Sequence, residues 1–508
     1  MTADTPGYSY LIERYGLQAR PLSVCVRIDT KIKGRASRAN GDREMLVFEP
    51  GYQPEESLAG QLQFALRYEG INLEVLALLF RQTGEEELNA WLAKTPESIY
   101  ARRAGFLYEW LTGRTLESHV PPKARYVDLV DNKLQFGLTK GKRDTRFRVI
   151  DNLPGNRDFC PLVRRTKYLD EMIARDLRGK TRNTLANYDQ DLLRRAAAYL
   201  YLKETQSSFE VEREKPSPDR AQRFVDLLRQ ADTHIPLTED RLVELQQAVV
   251  DPRFHEVTWR QEQNWVGKDH GYRKQIDFIP PRPADVPALM TGLLALAETS
   301  RSWYQQEHHE PDAAGLDPVI LATLIAFGFI FIHPFMDGNG RIHRYLIHEV
   351  LANAGFTPRG MILPVSAVIL ANLDDYIAAL EFFSKPLRAM TSYNPETPDI
   401  QATGNEAVYF RYFDATPQAG FLYGALARTV EKDLEKEINY LLGFDRAWNA
   451  LNGLLDWPGH SLELFIRVVQ QNNGTLSKTK RDSHFQWMTD EEVRQAEQEV
   501  IEAFENRR

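Results

Sequence analysis

Residues 318–344 read PVILATLIAFGFIFIHPFMDGNGRIHR, an apolar run that passes directly into a polar loop containing glycine. The apolar part, PVILATLIAFGFIFI, is shorter than the roughly 20 residues that a membrane span requires. A helix that is apolar on every side and this short is typical of the centre of a large helical domain. The stretch therefore predicts a buried central helix with the polar loop at its C-terminal end.

The composition of the whole chain is that of a globular protein with more than one domain. At 508 residues, with 43% hydrophobic and 26% charged residues, two or three domains are expected. The formal net charge of −8 argues against a chain built to coat nucleic acid. Two cysteines, Cys25 and Cys160, exclude a disulfide framework and suit a reducing cytosol. The N-terminus lacks the pattern of a secretory signal, so we expect a cytoplasmic protein without a membrane partner.

Changes in the hydrophobic pattern divide the chain into three predicted regions. Residues 1–165 combine helical spacing with short β-like runs between 126 and 150, which predicts an α+β accessory domain. Residues 166–391 are dominated by helical periodicity, with a β-hairpin pattern near 262–280. Residues 392–508 begin with a linker-like segment and are again mainly helical. The predicted fold class is therefore mainly α.

The loop that follows the apolar helix has the composition of an anion-binding site. Gly338 and Gly340 allow positive φ and the close approach of a ligand to the backbone. A new helix is expected to start at Asn339 or Gly340, with Asn339 as its N-cap, and to end before Gly355. The free N–H groups and the dipole at such an N-terminus favour phosphate.

Charged side chains around this loop predict phosphoryl or nucleotidyl transfer. Arg341 and Arg344 lie three residues apart, on one face of the first helical turn, where two guanidinium groups suit nucleotide phosphates. Asp337 is a natural ligand for Mg²⁺ beside those phosphates. His333 is the one side chain here that exchanges a proton near neutral pH, which makes it the candidate general base. Positioning and charge stabilisation dominate this kind of chemistry.

Each of these residues also has a structural explanation when it is taken alone. A histidine at a helix end is usually a structural group, Asp-Gly-Asn-Gly is commonly a turn, and surface arginines are frequent. The functional interpretation rests on their order within one short window. Two other motifs are excluded, because no second histidine follows His348-Glu349 in zinc-protease register and no Gly-Lys-Ser/Thr follows Gly340.

The segment HPFMDGNGRIHR at 333–344 resembles the signature of the Fic family, His-Pro-Phe-x-Asp/Glu-Gly-Asn-Gly-Arg-x-x-Arg, at every fixed position. The resemblance implies an all-helical Fic core that transfers AMP from Mg·ATP to a Ser, Thr or Tyr hydroxyl of a target protein. It implies His333 as the general base, Asp337 as the Mg²⁺ ligand and Phe335 as a core anchor. The phosphate-binding residues would be Gly338, Asn339, Gly340, Arg341 and Arg344.

Two further segments of the chain are similar to elements of that family. NWVG at 264–267 and DFIPP at 277–281 resemble the two sides of the flap, along which a target peptide is laid as an added strand. Downstream, Tyr376 lies on the helix that helps to close the adenine pocket in relatives. A tyrosine on an amphipathic helix can equally be core packing, and that alternative stays open.

Near 200–215, the run SFEVE at 208–212 resembles the family's inhibitory element, Ser/Thr-x-x-x-Glu-Gly/Asn. The resemblance implies that Glu212, with Ser208, pairs with Arg344 and denies ATP a productive pose. The sequence departs from the pattern at Arg213, where Gly or Asn is usual. The alternative interpretation is a solvated charge run, VEREK, and Glu210 is a lesser candidate for the inhibitory glutamate.

Three functions remain open at this point. The first is a protein adenylyltransferase that Glu212 inhibits, with ATP and Mg²⁺ as the implied cofactors. The second keeps the fold but is a phosphotransferase or a de-AMPylase, and the third is a catalytically silent scaffold. Relatives are often dimers, so the resemblance also leaves a homodimer open.

Overall fold

The computed structural model describes residues 5–40, 43–121, 123–271, 274–306, 315–394 and 402–505. Helices dominate all three predicted regions, and the strands form small sheets. The predicted mainly α class is therefore confirmed. Within the described ranges, no helix is both long and apolar enough to cross a membrane.

The described part of the N-terminal region contains five α-helices and two three-stranded sheets. The helices are α1 (Tyr8–Tyr15), α2 (Leu58–Phe64), α3 (Leu73–Gln82), α4 (Glu86–Lys94) and α5 (Ile99–Thr112). The first sheet consists of β1 (Val24–Ile28), β2 (Arg35–Asn40) and β3 (Arg43–Phe48), and the second of β4 (Val127–Asp128), β5 (Lys142–Asp144) and β6 (Val149–Asp151). In each sheet, the last strand in the sequence lies in the middle, parallel to the first strand and antiparallel to the second.

The second sheet agrees with the β-like runs predicted between 126 and 150, although its strands are shorter than those runs. The run KLQFGL, at 133–138, instead makes a turn and one isolated bridge between Gln135 and Arg164. The Gln135 side chain is buried and exchanges hydrogen bonds with the backbone of Ile71. A long-range amide contact therefore takes the place of the expected strand.

The central region is a group of helices with one β-hairpin. Before the hairpin lie α6 (Lys167–Ala174), α7 (Leu177–Ala186), α8 (Gln190–Val211), α9 (Pro218–Leu228) and α10 (Glu239–Val249). The hairpin is β7 (Val266–Asp269) and β8 (Lys274–Phe278), as the sequence predicts near 262–280. After it come α11 (Val286–Gln306), α12 (Pro318–Ile332), α13 (Asn339–Asn353), α14 (Val365–Ala371) and α15 (Leu373–Met390).

The C-terminal region is helical and consists of α16 (Ala407–Arg411), α17 (Thr416–Arg428), α18 (Leu434–Leu454), α19 (Ser461–Gln471), α20 (Lys478–His484) and α21 (Asp490–Glu505). One continuous hydrophobic core extends from Tyr8 to Ile438. A second cluster extends from Ala447 to Ala503. The boundaries at 165 and 391 stay predictions from the sequence.

The apolar stretch PVILATLIAFGFIFI forms α12, which is buried along almost its whole length. Asp317 caps its N-terminus by accepting hydrogen bonds from the N–H groups of Val319 and Ile320, and Pro318 occupies the first turn. The helix packs against α11, α13 and α17. It is therefore the central helix that the sequence predicts, and it ends at the polar loop.

Candidate functional site

His333 terminates α12 in a left-handed conformation, with φ of 52° and ψ of 59°. Its Nδ1 lies 3.3 Å from the carbonyl oxygen of Ile330. Because a carbonyl can only accept, Nδ1 carries the proton, and the lone pair of Nε2 remains free. Burial, helped by the charge of Arg260, lowers the pKa of His333 to about 4. The imidazole is therefore neutral at pH 7, which is the state that a general base requires.

The loop after His333 is held closed by Asn339. The Asn339 side chain accepts a hydrogen bond from the N–H of Phe335 at 3.1 Å and donates one to the Phe335 carbonyl at 2.7 Å. Phe335 itself is buried against Trp259. The expectation that Asn339 caps the next helix is wrong, because its amide is used in this loop and Gly338, with φ of 91°, occupies the N-cap position.

Asp337 lies beside the N-terminus of α13 with its side chain 54% exposed. Its Oδ1 accepts hydrogen bonds from the Gly338 N–H at 2.6 Å and from Arg341 Nη2 at 2.8 Å. The carboxylate thus has a fixed position and remains open to solvent. One such carboxylate next to a phosphate site fits Mg²⁺, which takes one or two carboxylates together with phosphate oxygens and water.

Arg341 is almost fully buried and makes contact with two carboxylates. Its Nη1 donates to Glu214 Oε2 and to the Val249 carbonyl, both at 2.7 Å, and its Nη2 donates to Asp337. Its guanidinium also lies over the Phe209 ring, 5.3 Å from the centroid. Glu214 was not anticipated, since the sequence placed it within a charge run that could be solvated.

Arg344 lies one turn further along α13, and only 1% of its side chain is exposed. Its Nε donates to Ser208 Oγ at 2.9 Å, and its Nη2 donates to the Ser208 carbonyl at 2.6 Å and to Glu212 Oε1 at 2.9 Å. The structure therefore brings together the three residues that the inhibitory resemblance connects.

Two buried N–H groups of the signature arginines have no hydrogen-bond partner among the described residues. They are Nε of Arg341 and Nη1 of Arg344. Unsatisfied buried donors on charged groups are unfavourable, and phosphate oxygens would satisfy them. The donor set therefore fits the phosphates of a nucleotide.

The C-terminal end of α8 brings Glu212 to the start of α13. A Cβ added to Gly340 would lie 2.0 Å from Glu212 Oε1, so the carboxylate lies directly against the Gly340 backbone. This is the position at a helix N-terminus that an anion favours. Arg213 follows in a left-handed conformation, with φ of 57°, which explains why Gly or Asn would suit this position better.

The hairpin β7–β8 is attached to the signature loop at its base. Asn264 donates from Nδ2 to the Phe335 carbonyl at 3.0 Å. All four residues of β7 are exposed, and the pairing has an irregularity between Val266 and Gly267. An exposed strand of this kind can accept a further strand at its edge.

Tyr376, near the start of α15, is buried rather than open to a pocket. Its ring stacks on His343, with the centroids 6.1 Å apart, and packs against Phe421. Burial raises the pKa of Tyr376 to about 12. Its assignment to an adenine pocket stays a prediction.

Two residues before the hairpin were missed by the sequence analysis. Glu256 Oε1 accepts the Met336 N–H at 2.8 Å, and Arg260 Nε donates to the His333 carbonyl at 2.8 Å. Both contacts join segments separated by more than 70 residues. No local pattern in the sequence indicates such contacts.

The end of α12 thus places a neutral histidine before a helix N-terminus with two buried arginines and a carboxylate. This arrangement is suited to binding phosphate. Residues 236–351 match the family model described as "Fic/DOC family". Over these residues, the match supports a Fic-domain protein, as the resemblance implies.

Curated relatives match part of the chain. A protein adenylyltransferase Fic of Drosophila virilis is 36% identical over 80 residues, which are 16% of this chain and 14% of that protein. Its counterpart in Drosophila melanogaster is 33% identical over 127 residues, or 24% of this chain and 22% of that protein. The match thus covers less than a quarter of the length of these relatives.

Two solved structures are also similar to the chain. A Fic family protein from Desulfovibrio desulfuricans has a TM-score of 0.36 and 18% identity, over 66% of this chain and 86% of that one. A Fic-domain-containing signalling protein from Bacteroides thetaiotaomicron has a TM-score of 0.34 and 20% identity, over 54% of this chain and 97% of that one.

Proposed function

We propose that this protein is an adenylyltransferase that moves AMP from ATP to a Ser, Thr or Tyr hydroxyl of a target protein, and that Glu212 keeps it inactive at rest. The observation that carries the proposal is the neutral His333 beside two buried arginines with unsatisfied N–H groups. The similarity to the Drosophila relatives, which are named protein adenylyltransferases, supports the AMP-transfer step.

In the proposed reaction, Nε2 of His333 takes the proton of the target hydroxyl. The oxygen then attacks the α-phosphorus of ATP, and the bond to pyrophosphate breaks. Arg341 and Arg344 neutralise the charge of the phosphates, and the N-terminus of α13 adds its free N–H groups. Asp337 would hold Mg²⁺, which neutralises phosphate charge when it is bound with the nucleotide.

The target is proposed to lie along β7 as an added strand. This proposal is supported by the exposure of all four β7 residues and by the attachment of the hairpin to the signature loop through Asn264. Backbone hydrogen bonds along a strand do not depend on side chains, so the hairpin would align the target without specifying its whole sequence.

Inhibition is proposed to act through the phosphate contacts of Arg344. Glu212 occupies its Nη2 and lies against Gly340, where a phosphate would otherwise be expected. A carboxylate and a phosphate compete for the same donors because both are anions. ATP would bind productively only when the end of α8 withdraws.

Labelling with α-³²P-ATP tests both parts of this proposal. Glu212→Gly should label itself or a target protein at least about tenfold more than the unmodified chain, within the 5–150-fold range typical of coupling between sites. Glu210→Gly is the matched control, since Glu210 lies on the same helix end and is exposed. The added change His333→Ala should abolish the labelling.

The outcomes of this experiment are distinguishable. A folded Glu212→Gly variant that labels nothing would refute an inhibited adenylyltransferase. Label transferred from γ-³²P-ATP, but not from α-³²P-ATP, would identify a phosphotransferase. Equal activation by Glu210→Gly would mean that a weaker helix end, and not the Glu212 carboxylate, is responsible.

A further inference from the structure

Arg260 connects the catalytic loop to the base of the hairpin through its guanidinium group. Nε donates to the His333 carbonyl at 2.8 Å, Nη1 to the Glu262 carbonyl at 3.0 Å and Nη2 to the Pro281 carbonyl at 2.5 Å. Its backbone N–H donates to the Pro334 carbonyl at 2.8 Å. Arg260 therefore contacts both ends of the hairpin and also His333 and Pro334, the two residues that follow α12.

The free energy of burying this guanidinium group is unfavourable for a contact with a purely structural role. Arg260 is only 2% exposed, and these partners of its charged group are backbone carbonyls rather than carboxylates. Burying a cation that has no carboxylate among these hydrogen-bond partners is unfavourable. Burial lowers the pKa of Arg260 to about 10, against the opposing charge of Glu256. A neutral side chain would fill the space at lower cost, so the charge and the fork-like geometry require an explanation.

We propose that Arg260 is a positioning residue for His333, which it holds in its left-handed conformation and keeps in register with the hairpin. The left-handed backbone of His333 is unfavourable for a residue with a Cβ, so surrounding contacts must maintain it. Glu262 precedes β7 and Pro281 follows β8. The same guanidinium thus fixes the distance between the base and the strand on which the target would lie.

The positive charge of Arg260 has a second effect on His333. It acts with burial to lower the pKa of the imidazole, whereas the opposite charges of Glu212 and Asp337 raise it. Removing the Arg260 charge should therefore raise the pKa of His333. In a pH–rate profile, the rate falls on the acid side because the base becomes protonated. This acid limb would therefore move to higher pH.

The inference rests on the proposed adenylyl transfer, so kinetic tests use the Glu212→Gly variant as the parent. Arg260→Lys keeps the charge but loses the planar guanidinium group, which donates to three carbonyls at once. It should lower kcat on the order of 100-fold, as for a misplaced catalytic group. The KM for ATP should change less than about twofold, since Arg341 and Arg344 are untouched. Arg260→Met should show the same loss of kcat and, in addition, an acid limb at higher pH.

Arg253→Met is the control, because Arg253 lies in the same segment and its side chain is 79% exposed. It should leave kcat and the pH profile unchanged. If Arg260→Met lowers kcat only in proportion to the fraction of unfolded protein, with the acid limb unmoved, Arg260 is merely structural and the inference is wrong.

A measurement that needs no activity separates this inference from the proposed function. The chain has 11 histidines, so ¹³C labelling of histidine gives few signals, and His333→Gln identifies the one required. In a pH titration by NMR, Arg260→Met should raise the His333 pKa and Arg253→Met should not. An unchanged titration overturns the inference even if AMP transfer occurs, and a raised pKa supports it even if the transferred group is not AMP.

Discussion

The two signature arginines differ in what balances their charge. Arg344 is bound by Ser208, which is neutral, and by a single carboxylate, Glu212. Arg341 is bound by two carboxylates, Glu214 and Asp337. Loss of Glu212 would therefore leave a buried cation without an anion, whereas loss of Glu214 would not. Under the proposed inhibition, Glu212 is therefore the residue that controls access to Arg344, whereas Glu214 holds the segment after α8 against Arg341.

The largest effect is expected from Glu212→Gln, which removes the charge and preserves the size. Because ATP would replace the missing anion beside Arg344, the affinity for Mg·ATP should rise at least about tenfold, within the range usual for coupled sites. Isothermal titration calorimetry measures this change, with Glu210→Gln as the control. Equal affinities for the two variants would show that ATP does not compete with the Glu212 carboxylate.

A smaller effect is expected from Glu214→Gln. The Glu214 side chain is 34% exposed and also contacts Arg220, and a pair of this kind contributes about 0–1 kcal/mol. The affinity for Mg·ATP should therefore rise by no more than about fivefold. If Glu214→Gln matched or exceeded Glu212→Gln in the same titration, the distinction between the two arginines would be wrong.

The smallest effect, of opposite sign, is expected at Arg213. The left-handed conformation of Arg213 is unfavourable by about 1 kcal/mol because the residue has a Cβ. Glycine adopts the same conformation without this penalty. Arg213→Gly should thus stabilise the inhibitory arrangement and weaken Mg·ATP binding by up to about fivefold. Arg213→Ala removes the same side chain but retains the strain, so it should bind Mg·ATP like the unmodified chain. A similar weakening in both variants would assign the effect to the arginine side chain instead.

The sequence predicted those parts of the site that are determined locally. The apolar run gave α12, the glycines gave the tight loop, and the spacing of Arg341 and Arg344 placed them on one face of α13. The order of residues alone therefore indicated a phosphate site. The resemblance to a known family added the contact between Glu212 and Arg344, which no local pattern contains.

The remaining contacts depend on segments that are distant in the sequence. Arg260 meets His333, and Glu214 meets Arg341 across 127 residues. The prediction for Asn339 was wrong because its side-chain amide can either cap a helix or close a loop. The position of the Phe335 backbone, which the sequence does not reveal, decides between the two. The first sheet was missed because β2, with the sequence RASRAN, lacks the large apolar residues by which a strand is recognised in a sequence.

The hydrophobic core that extends from Tyr8 to Ile438 determines how much of the chain must stay together for the central helices to fold. The segment that matches the Fic family, 236–351, contains α12 but neither α8 nor α17, both of which pack into the same core. Cut out alone, that segment would expose the apolar faces of its own central helix to water. The smallest unit that can be transplanted between proteins is therefore larger than the segment by which the family is recognised.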